Sequence, residues 1–103
     1  MKDKDLLMKA IDSYALFPPT GRILLKALIN LAIDDVVIIN IKELSNLCKI
    51  SRPAVYSNLK ILEDNQMIER QNQPGSRLSY FVLKPQKFTT IIKHYMVRKD
   101  FTQ

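Results

Sequence analysis

Residues 41–70, IKELSNLCKISRPAVYSNLKILEDNQMIER, decide the fold. In the second half of this stretch, Leu59 and Leu62 lie within about 40° of Val55 when ~100° is allowed for each residue of a helix. Ser51 is a residue type that caps helix N-termini, and Pro53 suits a first turn because its missing N–H would have no helical partner there. The stretch therefore predicts a helix over about 52–65 with one buried face.

A shorter helix is predicted directly before this one. Asn40 and Glu43 form the pattern of a capping box, in which the Asn side chain accepts a hydrogen bond from the Glu43 amide and the carboxylate accepts one from the Asn40 amide. The two helices meet across Lys49 and Ile50, without room for a long linker. The residues expected on the apolar face of the first helix are Ile41, Leu44, Leu47 and Cys48.

Strand-like segments lie on both sides of this helix pair. Residues 36–39 are four β-branched residues in a row, which predicts a short buried strand. Residues 67–71 and 78–83, with a turn at Pro74 and Gly75 between them, predict a β-hairpin.

Three further helices complete the chain. Residues 5–16 place Leu7, Ile11 and Tyr14 on one face, and the prolines at 18 and 19 must end that helix. Thr20 is the predicted N-cap of a helix of about 14 residues. Pro85 ends the hairpin and permits a final helix over about 86–99.

This order of elements is that of a winged helix-turn-helix. We expect a mainly α fold with a small β-hairpin, in the α+β class, and flanking N- and C-terminal helices. The 103 residues form one domain, 1–103, with a winged core of about 20–85.

The same stretch resembles the helix-turn-helix of MarR-like and ArsR-like bacterial transcriptional regulators. The shared features are a Glu-Leu-small pattern from Glu43, an Ile-Ser turn at Ile50, and a Val-x-x-x-Leu-x-x-Leu-Glu run from Val55. The resemblance covers about residues 20–85 and implies a DNA-binding fold. It departs at Lys49, where the family usually has Gly, so Lys49 must tolerate a positive φ or the turn must change.

The charge balance agrees with a nucleic-acid partner. The net charge is +6 and the isoelectric point is about 9.6. The excess of positive charge grows along the chain, from 0 over residues 1–19 to +3 over residues 85–103. The hairpin segment from 70 to 84 contains no acidic residue.

Two surfaces are therefore expected to bind double-stranded DNA. The recognition helix, 52–65, presents short polar and cationic side chains opposite its apolar face, as major-groove recognition requires. The wing, 71–78, is expected on the DNA backbone or in a minor groove. The predicted DNA-binding residues are Ser51, Arg52, Pro53, Tyr56, Ser57, Lys60, Arg70, Gln73, Ser76 and Arg77.

The terminal helices are expected to pair two copies of the chain, so that two recognition helices meet successive major grooves of a palindromic site. The alternative is that both helices pack on their own domain in a monomer. The predicted dimer-interface residues are Leu7, Ile11, Tyr14, Phe88, Ile91, Ile92, Tyr95 and Met96.

Three functions remain open at this stage. The first is a small bacterial, plasmid or phage transcriptional regulator. The second is the winged DNA-binding module of a plasmid or phage replication initiator or partition factor, and the third is a winged helix that binds protein.

Other classes are disfavoured by the residues that the chain offers. We expect no enzyme, because no nucleophile motif or phosphate-binding glycine loop is present. We expect no cofactor and no metal, because His94 has no ligand at metal spacing and the Cys-x-Cys sensor pattern of ArsR-like proteins is missing. One cysteine, no signal peptide and no long apolar run favour a cytoplasmic protein without a membrane segment.

Overall fold

The computed structural model describes residues 4–72 and 75–101. It confirms the α+β class, with five helices and one three-stranded sheet in the described residues. No helix in this part of the chain is long and apolar enough to cross a membrane. The elements are α1 (Lys4–Asp12), α2 (Pro19–Leu31), β1 (Val36–Ile39), α3 (Ile41–Cys48), α4 (Arg52–Asp64), β2 (Ile68–Asn72), β3 (Ser79–Leu83) and α5 (Pro85–Phe101).

The sheet is antiparallel with strand order β1-β3-β2, so the last strand in sequence lies in the middle. Val37 pairs with Phe81, and Arg70 pairs with Phe81 from the other side. Side chains alternate along β3, with Phe81 in the core and its neighbour Tyr80 half-buried on the opposite face. The predicted buried strand is buried on one face only, since Ile38 of β1 is 51% exposed.

The core lies between the sheet, the helix pair and the terminal helices. α2 packs on α4, while α1 packs on α2 and α5. Tyr14 joins these layers, because its ring lies edge-on to Phe17 at 4.9 Å and to His94 at 5.3 Å between centroids. His94 therefore has a packing role at the junction of the terminal helices.

Two predictions about the N-terminal helices were wrong. α1 ends at Asp12 and not at residue 16, because Ser13 donates its hydroxyl to the Lys9 and Ala10 carbonyls and the chain turns there. The N-cap of α2 is Pro18, with Pro19 in the first turn. Thr20 lies inside the helix, where its hydroxyl serves a tertiary contact described below.

The capping box at α3 is confirmed in a modified form. The Asn40 Oδ1 accepts from the Glu43 amide at 2.7 Å, and the Glu43 carboxylate accepts from the Asn40 side-chain Nδ2 at 3.0 Å instead of from its backbone. Leu47 was wrongly placed on the apolar face, since it is 58% exposed. It lies about 90° from the centre of the arc formed by Ile41, Leu44 and Cys48, which are buried.

The turn between α3 and α4 keeps its geometry without glycine. Lys49 has φ 56° and ψ 40°, in the left-handed region, and its N–H donates to the Ser45 carbonyl. This is the first of the two ways in which the lysine was expected to be accommodated. A non-glycine residue in this conformation carries a cost of roughly 1–2 kcal/mol.

We expect Lys49→Gly to raise the free energy of unfolding by about 1 kcal/mol, since the strain removed exceeds the backbone entropy that glycine loses on folding. Urea unfolding followed by circular dichroism measures the change. The matched control is Lys42→Gly, an exposed lysine within α3, which should lower stability by up to about 1 kcal/mol. Equal losses in the two variants would contradict a strained turn at Lys49.

Candidate nucleic-acid interface

The recognition helix is α4, and its exposed face carries the predicted side chains. Ser51 caps the helix by accepting from the Ala54 amide at 3.2 Å. Val55, Leu59 and Leu62 are buried, as predicted. The residues of this face that are exposed are Ser51, Arg52, Pro53, Tyr56, Ser57 and Lys60.

A buried polar contact fixes α4 against α2. Asn58 is 3% exposed, and its Nδ2 donates to the Thr20 hydroxyl at 2.9 Å and to the Ala54 carbonyl at 2.8 Å. Gly21 allows the approach, because a Cβ there would lie 3.0 Å from the Asn58 Oδ1. The sequence interpretation missed this residue. Its signal was a polar side chain about 40° beyond the edge of the apolar arc of the recognition helix.

Arg70 lies on β2, a strand of the hairpin, as predicted, and its contact with DNA stays a prediction. The side chain lies half-buried at the base of the wing, where its Nη2 donates to the Ser79 hydroxyl at 3.3 Å. The guanidinium carbon is 5.6 Å from the centre of the Tyr56 ring and 5.9 Å from that of Phe81. Arg70 therefore links the sheet to the recognition helix through cation–π contacts and is recessed from the outer surface.

Within the wing, Gln71 and residues 75–78 are exposed. Ser76 accepts from the Leu78 amide at 3.1 Å, and Arg77 is exposed beside it. Gln73, a predicted DNA contact, and the turn residue Pro74 lie outside the described residues. Gly75 has a positive φ of 78°, a backbone conformation that glycine adopts without steric cost.

An open cleft of about 610 Å³ separates the start of α3, the recognition helix and the wing. Four of its lining side chains are cationic, and none of the described residues that line it is acidic. Lys42 also lines the cleft and was not among the predicted DNA-binding residues, because it belongs to α3 and only the tertiary fold brings it close to α4 and the wing. We call this surface the cationic cleft and define it by Lys42, Arg52, Tyr56, Arg70, Ser76 and Arg77.

Lys60 lies further along the exposed face of α4. Its Nζ is 3.6 Å from the Asp64 carboxylate one turn later, and both side chains are largely exposed. A surface pair of this kind is weak and readily exchanged for another partner. Lys60 therefore remains free to meet an anion that approaches the helix.

The remaining chemistry-bearing side chains are structural. Among residues 4–72 and 75–101, no group of three metal-ligating side chains lies close enough together to hold a metal ion. Cys48 is buried, and burial raises the pKa of its thiol above the usual value. Since the thiolate is the reactive form, this thiol is a poor nucleophile at neutral pH.

The stripes on the terminal helices lie mainly inside the chain. Leu7, Ile11, Tyr14, Phe88 and Ile91 are at most 6% exposed within a single copy. A partner would find little area left to bury on these five in this conformation, and their place in a dimer interface stays a prediction. Ile92 and Tyr95 are half-buried and Met96 is 44% exposed, and for these three the prediction is likewise untested.

Comparison with solved structures places the fold. The chain aligns with the YusO protein of Bacillus subtilis at 15% identity, covering 95% of this chain and 70% of that one, with a TM-score of 0.56. This chain has a winged-helix fold. A protein of Methanosarcina mazei Go1, described as a possible transcriptional regulator, aligns at 17% identity over 99% and 86% of the two chains, with a TM-score of 0.55.

NadR, in its complex with 4-hydroxyphenylacetate, aligns at 14% identity over 99% of this chain and 77% of its own, with a TM-score of 0.56. No protein-family model matches the chain, and no curated protein sequence matches it. The structural likenesses confirm the winged-helix expectation. At these identities they establish the fold alone.

Proposed function

We propose that the protein is a sequence-specific double-stranded DNA-binding transcriptional regulator. The recognition helix α4 enters the major groove, and the wing, 71–78, follows the backbone or enters a minor groove. The observation that carries the proposal is the juxtaposition of the exposed polar face of α4 with the cationic cleft, where none of the described lining residues is acidic. The likeness of the fold to a Methanosarcina protein described as a possible transcriptional regulator supports the regulatory role.

The exposed side chains of α4 and the wing are proposed to contact different parts of the DNA. Arg52, Lys60 and Arg77 are cationic and exposed, so they suit phosphate oxygens, which set affinity and position. Tyr56 and Ser57 are exposed on α4 and carry hydroxyl groups that suit base edges. The Ser57 hydroxyl donates to the Ala54 carbonyl at 3.2 Å, which leaves it as an acceptor for a base donor. The Asn58 contact to Thr20 holds the helix so that this face projects from the domain.

The proposed assembly is a homodimer that contacts two half-sites. The domain is elongated, 52 Å by 26 Å by 21 Å, and the outer half of α5 exposes Met96 at 44% and Val97 at 54%. At about 100° per residue, Ile92, Tyr95 and Met96 fall on one side of the helix and form an apolar surface that a symmetric copy can cover, whereas Val97 lies about 100° beyond Met96. A two-fold pair built there would hold two recognition helices at a fixed separation.

The test of the function is a selection of bound sequences from random duplexes, followed by footprinting. We expect enrichment of a short palindrome and binding that weakens with salt. Enrichment of direct repeats without a palindrome would favour a replication or partition module. Absence of salt-sensitive binding to any duplex would overturn the proposal and leave a protein-binding winged helix.

We expect Lys60→Ala and Arg77→Ala each to weaken duplex binding by about tenfold, because a hydrogen bond to a charged group contributes roughly 1.5 kcal/mol or more. The loss should be similar for all sequences, since phosphates carry no base identity. Fluorescence anisotropy at about 0.1 M salt measures it. Lys93→Ala, an exposed lysine on α5, is the matched control and should bind as the parent does. An unchanged affinity for either variant would remove that residue from the interface.

We expect replacement of the hydroxyls at Tyr56 and Ser57 to relax sequence preference. Tyr56→Phe keeps the ring that lies over Arg70 and removes only the hydroxyl, and Ser57→Ala does the same for serine. Each should reduce discrimination at one base pair by about 1–3 kcal/mol, measured by competition between duplexes that differ at single positions. A uniform loss across all sequences would indicate contacts to the backbone alone.

A further inference from the structure

The guanidinium of Arg70 is held rigidly but is incompletely satisfied. Its Nη2 donates to Ser79, and the aromatic rings of Tyr56 and Phe81 lie against it. Its Nε is buried and has no acceptor among the described residues. A buried donor without a partner is rare in folded proteins, and a charged one is costlier than a neutral one.

The surroundings of this group lack a counter-charge. Lys42, Arg52 and Arg77 line the same cleft, and no lining residue among those described is a carboxylate. None of the ion pairs in the described part of the chain includes a residue of the cationic cleft. Glu43, in the first turn of α3, accepts a hydrogen bond from the Asn40 side chain. Cationic side chains from α3, α4 and the wing therefore converge on a cleft that is open to solvent and has no carboxylate among its described lining residues.

We propose that the cationic cleft binds one phosphate group of the DNA backbone, with Arg70 as its floor and Arg52 and Arg77 as its sides. The inference rests on the proposed function and names the group that this part of the interface takes. A guanidinium presents several N–H donors in one plane and matches two oxygens of a phosphate, so it suits this position better than an amine does.

The recessed position of Arg70 gives the contact a positioning role. A phosphate that reaches it must enter between the recognition helix and the wing, which fixes the depth of α4 in the groove. Because Tyr56 lies over the same guanidinium at 5.6 Å, the anchored phosphate also fixes the distance from the backbone to this side chain. Arg70 is half-buried, whereas Arg52 and Arg77 at the sides of the cleft are exposed, as is Lys60 further along α4.

The first test observes Arg70 directly in the full-length chain. The Nε–H of Arg70 gives a side-chain signal in a ¹H–¹⁵N correlation spectrum, assigned by its loss in Arg70→Lys. We expect a saturable shift of this signal on titration with inorganic phosphate and none with sodium chloride at equal ionic strength. Equal responses to the two salts would overturn the site.

The second test identifies the source of the phosphate. Each phosphate contact contributes about one unit to the slope of log affinity against log salt concentration. We expect Arg70→Met to lower this slope by about one unit on a random duplex, and Lys93→Met on α5 to leave it unchanged. If Arg70→Met does not fold, Arg52→Met carries the test, because Arg52 lines the same cleft and is exposed.

The outcomes separate the two levels of the proposal. A phosphate-dependent shift together with an unchanged slope in the folded variants would assign the cleft to a free phosphorylated molecule and overturn the backbone contact, while duplex binding by the parent would stand. No salt-sensitive duplex binding by the parent would instead overturn the proposed function. A lower salt slope in the Arg70→Met variant, together with a saturable shift of the Arg70 signal in the parent protein, would support both the phosphate site and the proposed function.

Discussion

Replacing Phe81 by alanine is expected to lower the free energy of unfolding by about 3–5 kcal/mol. Phe81 is fully buried in the central strand, and it lies opposite Val37 on one side and Arg70 on the other. Truncation leaves a cavity that the sheet cannot close, because both neighbouring strands are held by their own pairings. Urea unfolding at 25 °C measures the loss, which is a large part of the stability of a domain of this size.

The adjacent residue supplies the control. Tyr80 has a ring of similar size but lies half-buried on the opposite face of β3, against Ile38 and Gln71. Tyr80→Ala should therefore cost only about 1 kcal/mol, the contribution of cross-strand pairs. Similar losses in the two variants would show that Phe81 is not the centre of the core.

The second large effect concerns assembly. Met96→Glu should convert a dimer into a monomer, because it places a charge on the most exposed residue of the proposed apolar surface on α5. Binding to a full palindromic site should then fall by about 10²–10⁴, which is the gain that linking two binding modules provides. Binding to a half-site should hardly change. Sedimentation velocity and anisotropy on the two duplexes measure both quantities.

Met96 is a sharper site for this change than Ile92, which packs partly on the chain's own core and whose replacement risks unfolding. Thr90→Glu is the matched control, since it adds the same charge at an exposed position on the same helix. Sedimentation of the parent at micromolar concentration as a species of one chain mass would refute the dimer. It would also return the terminal helices to a purely intramolecular role.

The local structure of the helix-turn-helix is predictable because its signals are local. Ser51 and Pro53 mark the start of α4, and the spacing of Val55 and Leu59 gives its buried face. The positive φ at Lys49 follows from the need for a tight turn between two helices. These features depend on neighbours within a few residues, which the sequence displays directly.

The tertiary parts of the site were not predictable in this way. Asn58 meets Thr20 and Arg70 meets Tyr56 through contacts between elements, and no periodicity within one segment reports them. The same limit explains the terminal helices. An apolar stripe specifies that a face is covered, but not whether the chain itself or a second copy covers it.

The position of β3 between β1 and β2 has a consequence for the order in which the chain acquires its structure. Ile39 pairs with Ser79, so the entire helix-turn-helix and the wing lie within the loop that β1 and β3 close. Closing a long loop costs entropy before its contacts compensate, which makes such pairings late and slow. The two helices are adjacent in sequence and are expected to form first. The edge strand β1 then pairs with β3 last and closes the loop that contains the recognition helix.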